Sequence, residues 1–221
     1  MKGMVTKKCV LFSISNIIDN DDGKKKETQN MTELIELMKN RRTIRKYRPE
    51  QISEEELQLI LEAGQYAPSA GGAQSTKIVA LQNRTLSEKL GKINVGVMKR
   101  REGAHVSDEQ PSIIDDPSIP SGFYGAPTVC VIFSKTESSY SIADSFCTAE
   151  NMILEAYSLN VSSAIIGRAE MTFDNDLGRE LMKEWEIPEN YTARCFVILG
   201  YLDGPYPSMK PRKENRIRII R

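Results

Sequence analysis

The stretch NRRTIRKYRPE, residues 40–50, gathers positive charge in a chain that is neutral overall. Five of the eight residues from position 41 to position 48 are basic, whereas the 221 residues together carry 30 basic and 30 acidic side chains. Clustered arginines suit a phosphate group, because one planar guanidinium can donate to two oxygens at once. Basic residues also suit the end of a helix that faces water. The stretch therefore predicts either an anion site or a solvated helix end.

The composition indicates a soluble globular chain. Hydrophobic residues make up 40% and charged residues 27% of the sequence, which is ordinary for a folded domain. The balanced charge argues against a nucleic-acid partner, since nucleic-acid-binding domains are usually basic. No run of about 18 apolar residues occurs, so no membrane span is expected. The four cysteines form no Cys-x-x-Cys pair, so we expect a cytoplasmic protein without a metal site.

Two regions of different character divide the chain. Residues 1–30 include the polar run NDDGKKKETQN, which has no apolar periodicity. Such a composition predicts a disordered tail. The apolar patterns that indicate packed helices and strands begin at about Met31, so residues 31–221 are expected to form one folded domain.

Hydrophobic periodicity predicts helices that alternate with short apolar strands. One helix start is specific, because Ser53 and Glu56 have the spacing of a capping box. Residues 101–122 contain three prolines and are predicted to be a loop. The pattern predicts helices over residues 31–42, 53–67, 85–102, 142–160 and 173–187, strands over 77–83, 126–133, 161–167 and 193–204, and a tail strand over 217–220. This order predicts an α/β or α+β sandwich in which helices cover both faces of one sheet.

The usual nucleotide-binding loops are missing. Neither G-x-G-x-x-G nor G-x-x-x-x-G-K-[ST] occurs, so side chains would have to hold the phosphate of a bound nucleotide. The single histidine, His105, lies in the polar loop and is expected to face solvent, which argues against a catalytic triad. Three cysteines lie in strand or helix patterns and are expected to pack in the core, namely Cys130, Cys147 and Cys195.

Five short motifs, in their order and spacing, resemble the FMN-dependent nitroreductase family. They are RRTIRKY (41–47), APSAGGAQ (67–74), GAP (125–127), AIIGR (164–168) and Lys210-Pro-Arg212. Each motif alone is weak, but five in order are specific, and the resemblance covers residues 31–221. It implies an α+β fold, a three-layer α-β-α sandwich with a mostly antiparallel central sheet. In such a fold the C-terminal strand of each subunit completes the sheet of its partner in a homodimer.

The resemblance also implies that the cofactor is FMN and that the opening basic stretch meets its phosphate. Arg45 would lie beside the N1–C2 edge of the ring, where a fixed cation favours the reduced flavin. The residues that would hold the phosphate and the ribityl chain are Arg41, Arg42 (through its backbone), Thr43, Lys210 and Arg212.

Two further motifs would contact the flavin ring. Gly167, next to Ile166, would bring a bare backbone N–H close to flavin N5, because glycine has no Cβ. The turn after the second helix would reach the flavin of the partner subunit through Pro68, Ser69, Ala70 and Gln74.

The activity that the resemblance implies is ping-pong transfer of a hydride from NAD(P)H, through flavin N5, to a nitroaromatic, a quinone or a similar acceptor. No side chain is expected to act as a general acid, so no catalytic residue is assigned. Two alternatives remain open. The same fold could perform reductive dehalogenation or flavin fragmentation, or the basic cluster could belong to a small anion-binding or nucleic-acid-binding module.

The sequence departs from the family pattern at three places. Ser75 and Thr76 follow Gln74 where many members have proline and an aromatic residue. Ile166 precedes the flavin-side glycine where many members have glutamate. The proline-rich residues 101–122 replace a helical lid, so the family pattern does not name the electron acceptor of this chain.

Overall fold

The computed structural model describes residues 33–99 and 103–221, and the predicted disordered tail over residues 1–30 lies outside this part. The helices are α1 Glu33–Asn40, α2 Glu54–Gln65, α3 Arg84–Gly96, α4 Ser141–Ser158, α5 Ala169–Phe173 and α6 Asp176–Glu184. The strands are β1 Lys77–Leu81, β2 Thr128–Lys135, β3 Ser162–Ile166 and β4 Tyr191–Gly200. The predicted capping box starts α2, since the Ser53 hydroxyl accepts the Glu56 N–H at 3.2 Å while the Glu56 carboxylate accepts the Ser53 N–H at 2.7 Å.

The strands of the described residues form one antiparallel sheet in the order β1-β2-β4-β3. β2 and β4 occupy its centre and are buried on both faces, which is why their sequences read as continuous apolar runs. Alternation along β2 sends Val131 to one face of the sheet and Ile132 to the other. The predicted α+β sandwich around a mostly antiparallel sheet is therefore confirmed.

Each face of the sheet packs on its own layer of helices. α2 and α4 cover one face through side chains such as Ile60, Met152 and Ile153. α3, α5 and α6 cover the other face, where the rings of Phe133 and Phe173 make an edge-on contact with centroids 5.4 Å apart. Burying a large apolar side chain of this kind stabilises the fold by roughly 1.5–3 kcal/mol. The two cores together fix the sheet that carries the site.

Two predicted helices end differently in the structure. The helix predicted over residues 173–187 is α6, which begins only at Asp176, because Asn175 adopts an extended conformation and caps the helix by accepting the Gly178 N–H at 3.0 Å. The short helix α5 precedes it and was not predicted. The helix predicted over residues 85–102 ends at Gly96. Within the described residues, 103–122 form no helix or strand, as predicted.

The expectation that all three cysteines pack in the core is wrong for Cys147. That residue lies on the exposed side of α4, whereas the opposite side of the helix packs on the sheet. Cys130 and Cys195 are buried as predicted, and burial raises the pKa of each thiol to about 12. The buried thiols therefore stay protonated and act as small apolar side chains.

Several apolar side chains remain on the surface of the single chain. The apolar face predicted for the first helix is exposed, with Leu34 at 53% and Met38 at 42%. In the predicted tail strand, Ile217 is 88% exposed and pairs with no strand of the described residues. No helix in the part of the chain that the structure describes is long and apolar enough to cross a membrane.

Candidate functional site

The basic stretch leaves α1 and runs along the edge of the sheet beside β3. The Arg41 N–H donates to the Leu37 carbonyl at 2.9 Å and closes the helix. Ile44 then anchors the stretch, because its side chain is buried and its N–H donates to Ser163 at 3.0 Å. Thr43 forms a parallel bridge with Ser163. The main chain that carries the arginines is therefore fixed by the sheet.

One cavity of about 530 Å³ collects the residues predicted to hold the phosphate. The two ends of the folded chain both reach it, as the sequence motifs predicted. The predicted residues that line it are Arg41, Arg42, Thr43, Arg45, Lys210 and Arg212. The cavity therefore holds five cationic side chains, which outnumber the two carboxylates in its lining, those of Asp108 and Glu109. This excess of positive charge suits a phosphate dianion.

Two of these arginines present unpaired donors. The Nε atoms of Arg41 and Arg42 are buried and have no hydrogen-bond partner among the described residues. Buried polar atoms are nearly always paired in proteins, so these two donors are available to a bound group. Arg41 is also 3.9 Å from Glu150, a half-exposed contact that contributes little energy.

Arg42 also closes the end of α1. Its Nη1 donates to the carbonyls of Lys39 at 2.7 Å and of Arg41 at 2.9 Å. These two bonds match the second interpretation of the basic stretch, in which basic residues close the end of a helix. The backbone N–H of Arg42 donates to the Tyr206 hydroxyl at 3.0 Å, and that hydroxyl donates to the Asn40 carbonyl at 3.0 Å. Tyr206, which the sequence did not indicate, thus ties the C-terminal segment to the basic stretch.

Residues 105–110 cover the cavity from the other side. Arg45 donates its backbone N–H to the Gln110 side chain at 2.7 Å and its Nη1 to the Gln110 carbonyl at 3.0 Å. The Glu109 carboxylate accepts the Ser208 hydroxyl at 2.6 Å and the Ser208 N–H at 2.8 Å, and these bonds lower the pKa of Glu109. Lys210 donates to the Val106 carbonyl. The sequence carried no local signal for Glu109, Gln110 or Ser208.

Asp115 holds the covering loop in shape. Its carboxylate accepts the N–H groups of Val106 at 2.7 Å and of Ser112 at 2.8 Å, and the Ser112 hydroxyl at 3.0 Å. Burial by itself would raise the pKa of Asp115, but these hydrogen bonds outweigh it and hold the pKa well below its usual range. His105, whose side chain is 57% exposed as expected for a loop residue, lies 3.0 Å from the same carboxylate.

The turn predicted to serve a partner's flavin lies elsewhere. Pro68, Ser69 and Gln74 line a separate cavity of about 520 Å³. The Ser69 hydroxyl accepts the Gln74 N–H at 2.9 Å, and the Ala70 N–H donates to Asp144 at 3.1 Å. Within one chain, the structure therefore does not bring this turn into the arginine-lined cavity. The assignment of the turn to a partner's flavin stays a prediction.

The end of β3 carries the two residues predicted to face flavin N5, Ile166 and Gly167. Ile166 is buried in the core, so it can offer only its backbone to a ligand. A Cβ built on Gly167 would meet no atom of the described residues within 4 Å, so the space above this glycine is open. The Gly167 carbonyl accepts the Asn94 side-chain amide at 3.0 Å. The open face of Gly167 suits a flat ring.

The fold and the site define an α+β sandwich with an arginine-lined cavity at the edge of its sheet. The model of the Nitroreductase family matches residues 38–201, so the chain belongs to the nitroreductase family. The family, the fold and the class of enzyme, an oxidoreductase, are thus as the sequence predicted. The contacts of the individual site residues stay predictions.

Known proteins agree with this membership. The structure resembles a nitroreductase with bound FMN from Bacteroides fragilis, with a TM-score of 0.73, 29% identity, and coverage of 86% of this chain and 100% of that one. A nitroreductase with bound FMN from Desulfitobacterium hafniense has a TM-score of 0.71 at 24% identity, over 86% and 100% of the two chains, which supports the fold alone. A protein of Archaeoglobus fulgidus named "Putative NADH dehydrogenase/NAD(P)H nitroreductase" is 28% identical over 172 residues, 77% of this chain and 86% of the relative.

Proposed function

We propose that this protein is an FMN-dependent oxidoreductase that takes electrons from NAD(P)H and passes them to a small organic acceptor, such as a nitroaromatic or a quinone. The observation that carries the proposal is that one cavity is lined from both ends of the folded domain, by Arg41, Arg42, Thr43, Arg45, Lys210 and Arg212. Proteins of the same fold that have been crystallised with FMN support it.

The cavity fits the phosphate of FMN. A hydrogen bond to a charged partner contributes roughly 1.5–3 kcal/mol, and several such donors converge here. The buried Nε atoms of Arg41 and Arg42 would gain the partners that the protein itself does not supply among its described residues. Side chains, rather than a glycine-rich loop, therefore hold the cofactor.

Arg45 is the residue that the resemblance to the family assigns to the flavin ring. Its guanidinium lies 5.8 Å from the centre of the Tyr124 ring and is fixed by Gln110. A fixed cation of this kind stabilises negative charge at the N1–C2 edge of the ring. Bound FMN supplies the redox chemistry, accepting two electrons from the nicotinamide and giving them to the acceptor. The residues of this chain bind and orient it, and none is assigned as a proton donor.

The working unit in this proposal is a two-fold homodimer. Exposed apolar side chains lie on α1 and α4, and surfaces of this kind often mark interfaces. They are Leu34, Met38, Ile142 and Phe146. The extended tail, residues 217–220, can add as a strand to the sheet of a second copy, because its backbone forms no strand pairing within the described chain. The turn at residues 67–74 then completes the flavin site of the partner.

The alternative of a nucleic-acid-binding module receives less support. The clustered arginines share their cavity with the acidic residues Asp108 and Glu109, whereas a nucleic-acid backbone needs a continuous basic surface. Reductive dehalogenation and flavin fragmentation would use the same fold and the same cofactor. Only assays with the corresponding substrates separate them from the proposed activity.

A spectrum tests the proposal directly. Protein purified without added FMN should be yellow, and NADH or NADPH added without oxygen should bleach the flavin absorbance. A nitroaromatic or a quinone should then restore the absorbance. A colourless protein that takes up no FMN on reconstitution would overturn the proposal.

A further inference from the structure

A buried polar cluster joins α3 to the turn between β3 and α5. Asn94 is fully buried at the centre of this cluster. Its side-chain nitrogen donates to the Gly167 carbonyl at 3.0 Å and to the Thr172 hydroxyl at 2.9 Å. Its side-chain oxygen accepts Arg168 Nη2 at 2.8 Å. Both donors of one amide are thus used on a single turn, although Asn94 is 73 positions away from Gly167 in the chain.

Arg168 holds the same turn in an uncommon backbone conformation. Its φ of 63° is left-handed, a region that few residues other than glycine adopt. Its Nε donates to the Asn94 carbonyl at 3.2 Å, and its own carbonyl accepts the Thr172 hydroxyl at 2.7 Å. Such a conformation persists where the surroundings fix it from several sides. The cluster therefore determines the path of the chain immediately after Gly167.

The missing side chain of Gly122 leaves room for this cluster. The segment that precedes β2 passes directly over Asn94, and a Cβ at Gly122 would overlap the Asn94 side-chain oxygen. The Gly122 N–H donates to the Gly91 carbonyl of α3 at 2.9 Å, which holds that segment in place. Only glycine at position 122 allows the chain to close over the amide.

Gly167 is therefore held on both sides and open on one face. Before it, Ile166 pairs with Phe196 in the sheet, and after it the carbonyl is bonded to Asn94. Glycine has more backbone freedom than any other residue. The contacts on either side of Gly167 restrict that freedom and fix its position. A Cβ on Gly167 would meet no described atom within 4 Å, so the space beside this glycine is open.

We propose that Asn94 and Arg168 are positioning residues that fix the Gly167 backbone for contact with the flavin ring. The inference rests on the proposed function, because it takes Gly167 as the residue that faces flavin N5. Asn94 touches neither the arginine-lined cavity nor its covering loop, so its removal should affect the orientation of the ring more than the retention of the phosphate.

The test compares Asn94→Ala with Leu90→Ala, a loss of a fully buried side chain one turn earlier on α3. In the FMN-loaded dimer, Asn94→Ala should slow flavin reduction at saturating NAD(P)H by about tenfold or more, since small misplacements have large effects on rate. FMN affinity should change by less than about threefold. The midpoint potential of the bound flavin should shift. Leu90→Ala should lower the melting temperature but leave the reduction rate and the potential unchanged.

A second readout does not depend on the flavin. Backbone amide hydrogen exchange at residues 167–168 of the FMN-free protein should be faster in Asn94→Ala than in the wild type, and unchanged in Leu90→Ala. Arg168→Lys, which keeps the charge but cannot donate from two nitrogens to Asn94, should show the same changes more weakly. It replaces Asn94→Ala if that variant does not fold. Wild-type exchange and reduction rates in both variants would overturn the inference, whereas a wild type that binds no FMN would overturn only the proposed function.

Discussion

The backbone N–H of Arg45 donates a hydrogen bond to the Gln110 side chain at 2.7 Å, and the Arg45 guanidinium donates a second one to the Gln110 carbonyl at 3.0 Å. These two residues are 65 positions apart. The proline-rich loop therefore acts as a support for the basic stretch, in addition to covering its cavity. Arg45 receives its orientation from a segment in which the sequence showed no regular structure.

Replacing Gln110 by alanine should destabilise the protein. Gln110 is 3% exposed, and its removal leaves the partly buried Arg45 N–H without its partner. We expect a loss of about 1–3 kcal/mol in the free energy of unfolding, measured by urea denaturation. Gln58→Ala is the control, because Gln58 makes an exposed hydrogen bond to Glu54 on α2, and it should change stability by less than about 0.5 kcal/mol. Equal effects of the two substitutions would contradict the supporting role of Gln110.

Arg41→Ala should weaken FMN binding by one to two powers of ten. The substitution removes a donor worth roughly 1.5–3 kcal/mol from the cavity that we assign to the phosphate. Riboflavin has no phosphate, so its binding should fall much less. Titration of the FMN-free protein with both ligands, followed by flavin fluorescence, measures the difference. Arg179→Ala, which removes an exposed arginine on α6, should affect neither ligand. Equal losses for FMN and riboflavin would remove Arg41 from the phosphate site.

Asp115→Asn should destabilise the protein more at neutral pH than in acid. Hydrogen bonds lower the pKa of the folded Asp115 carboxyl, so its contribution to stability is present above the unfolded pKa of about 3.9. That contribution is lost as the pH falls below this value toward the lower folded pKa. The gap in melting temperature between the wild type and the variant should therefore be wide at pH 7 and should narrow below about pH 4.

The control for this pH dependence is Asp108→Asn. Asp108 lies in the same loop, but its side chain is 96% exposed, so the substitution should change the melting temperature little at any pH. A gap for Asp115→Asn that stays constant from pH 7 to pH 3 would show that the carboxylate charge does not stabilise the loop.

Truncation after Arg212 should separate the proposed dimer and release its flavin. The change keeps the residues assigned to the phosphate but removes the exposed isoleucines at 217, 219 and 220. If the tail adds as a strand to the partner, the truncated protein should shift toward monomer in analytical ultracentrifugation and lose FMN in parallel. The full-length double variant Arg216→Ala, Arg218→Ala keeps the apolar tail and should remain dimeric. A truncated monomer that keeps one FMN per chain would contradict both the dimer and the shared site.

The parts of the fold that depend on neighbouring residues could be predicted from the sequence. The capping box at Ser53 joins residues three positions apart, and the structure shows both of its hydrogen bonds. The central strands β2 and β4 could be located because strands buried on both faces are continuously apolar. The order of the short motifs was sufficient for the family, and the matching family model agrees.

Tertiary structure decided which residues meet. Glu109 and Ser208 are 99 positions apart, and neither pattern nor spacing indicated their contact across the cavity. The same holds for Asn94, whose polar side chain on a helix gave no sign that it would be fully buried against Gly167. The exposed position of Cys147 depends on which side of α4 faces the sheet. Local patterns record the preferences of the backbone and of apolar side chains, whereas hydrogen bonds between distant polar groups arise only when the packed fold removes those groups from water.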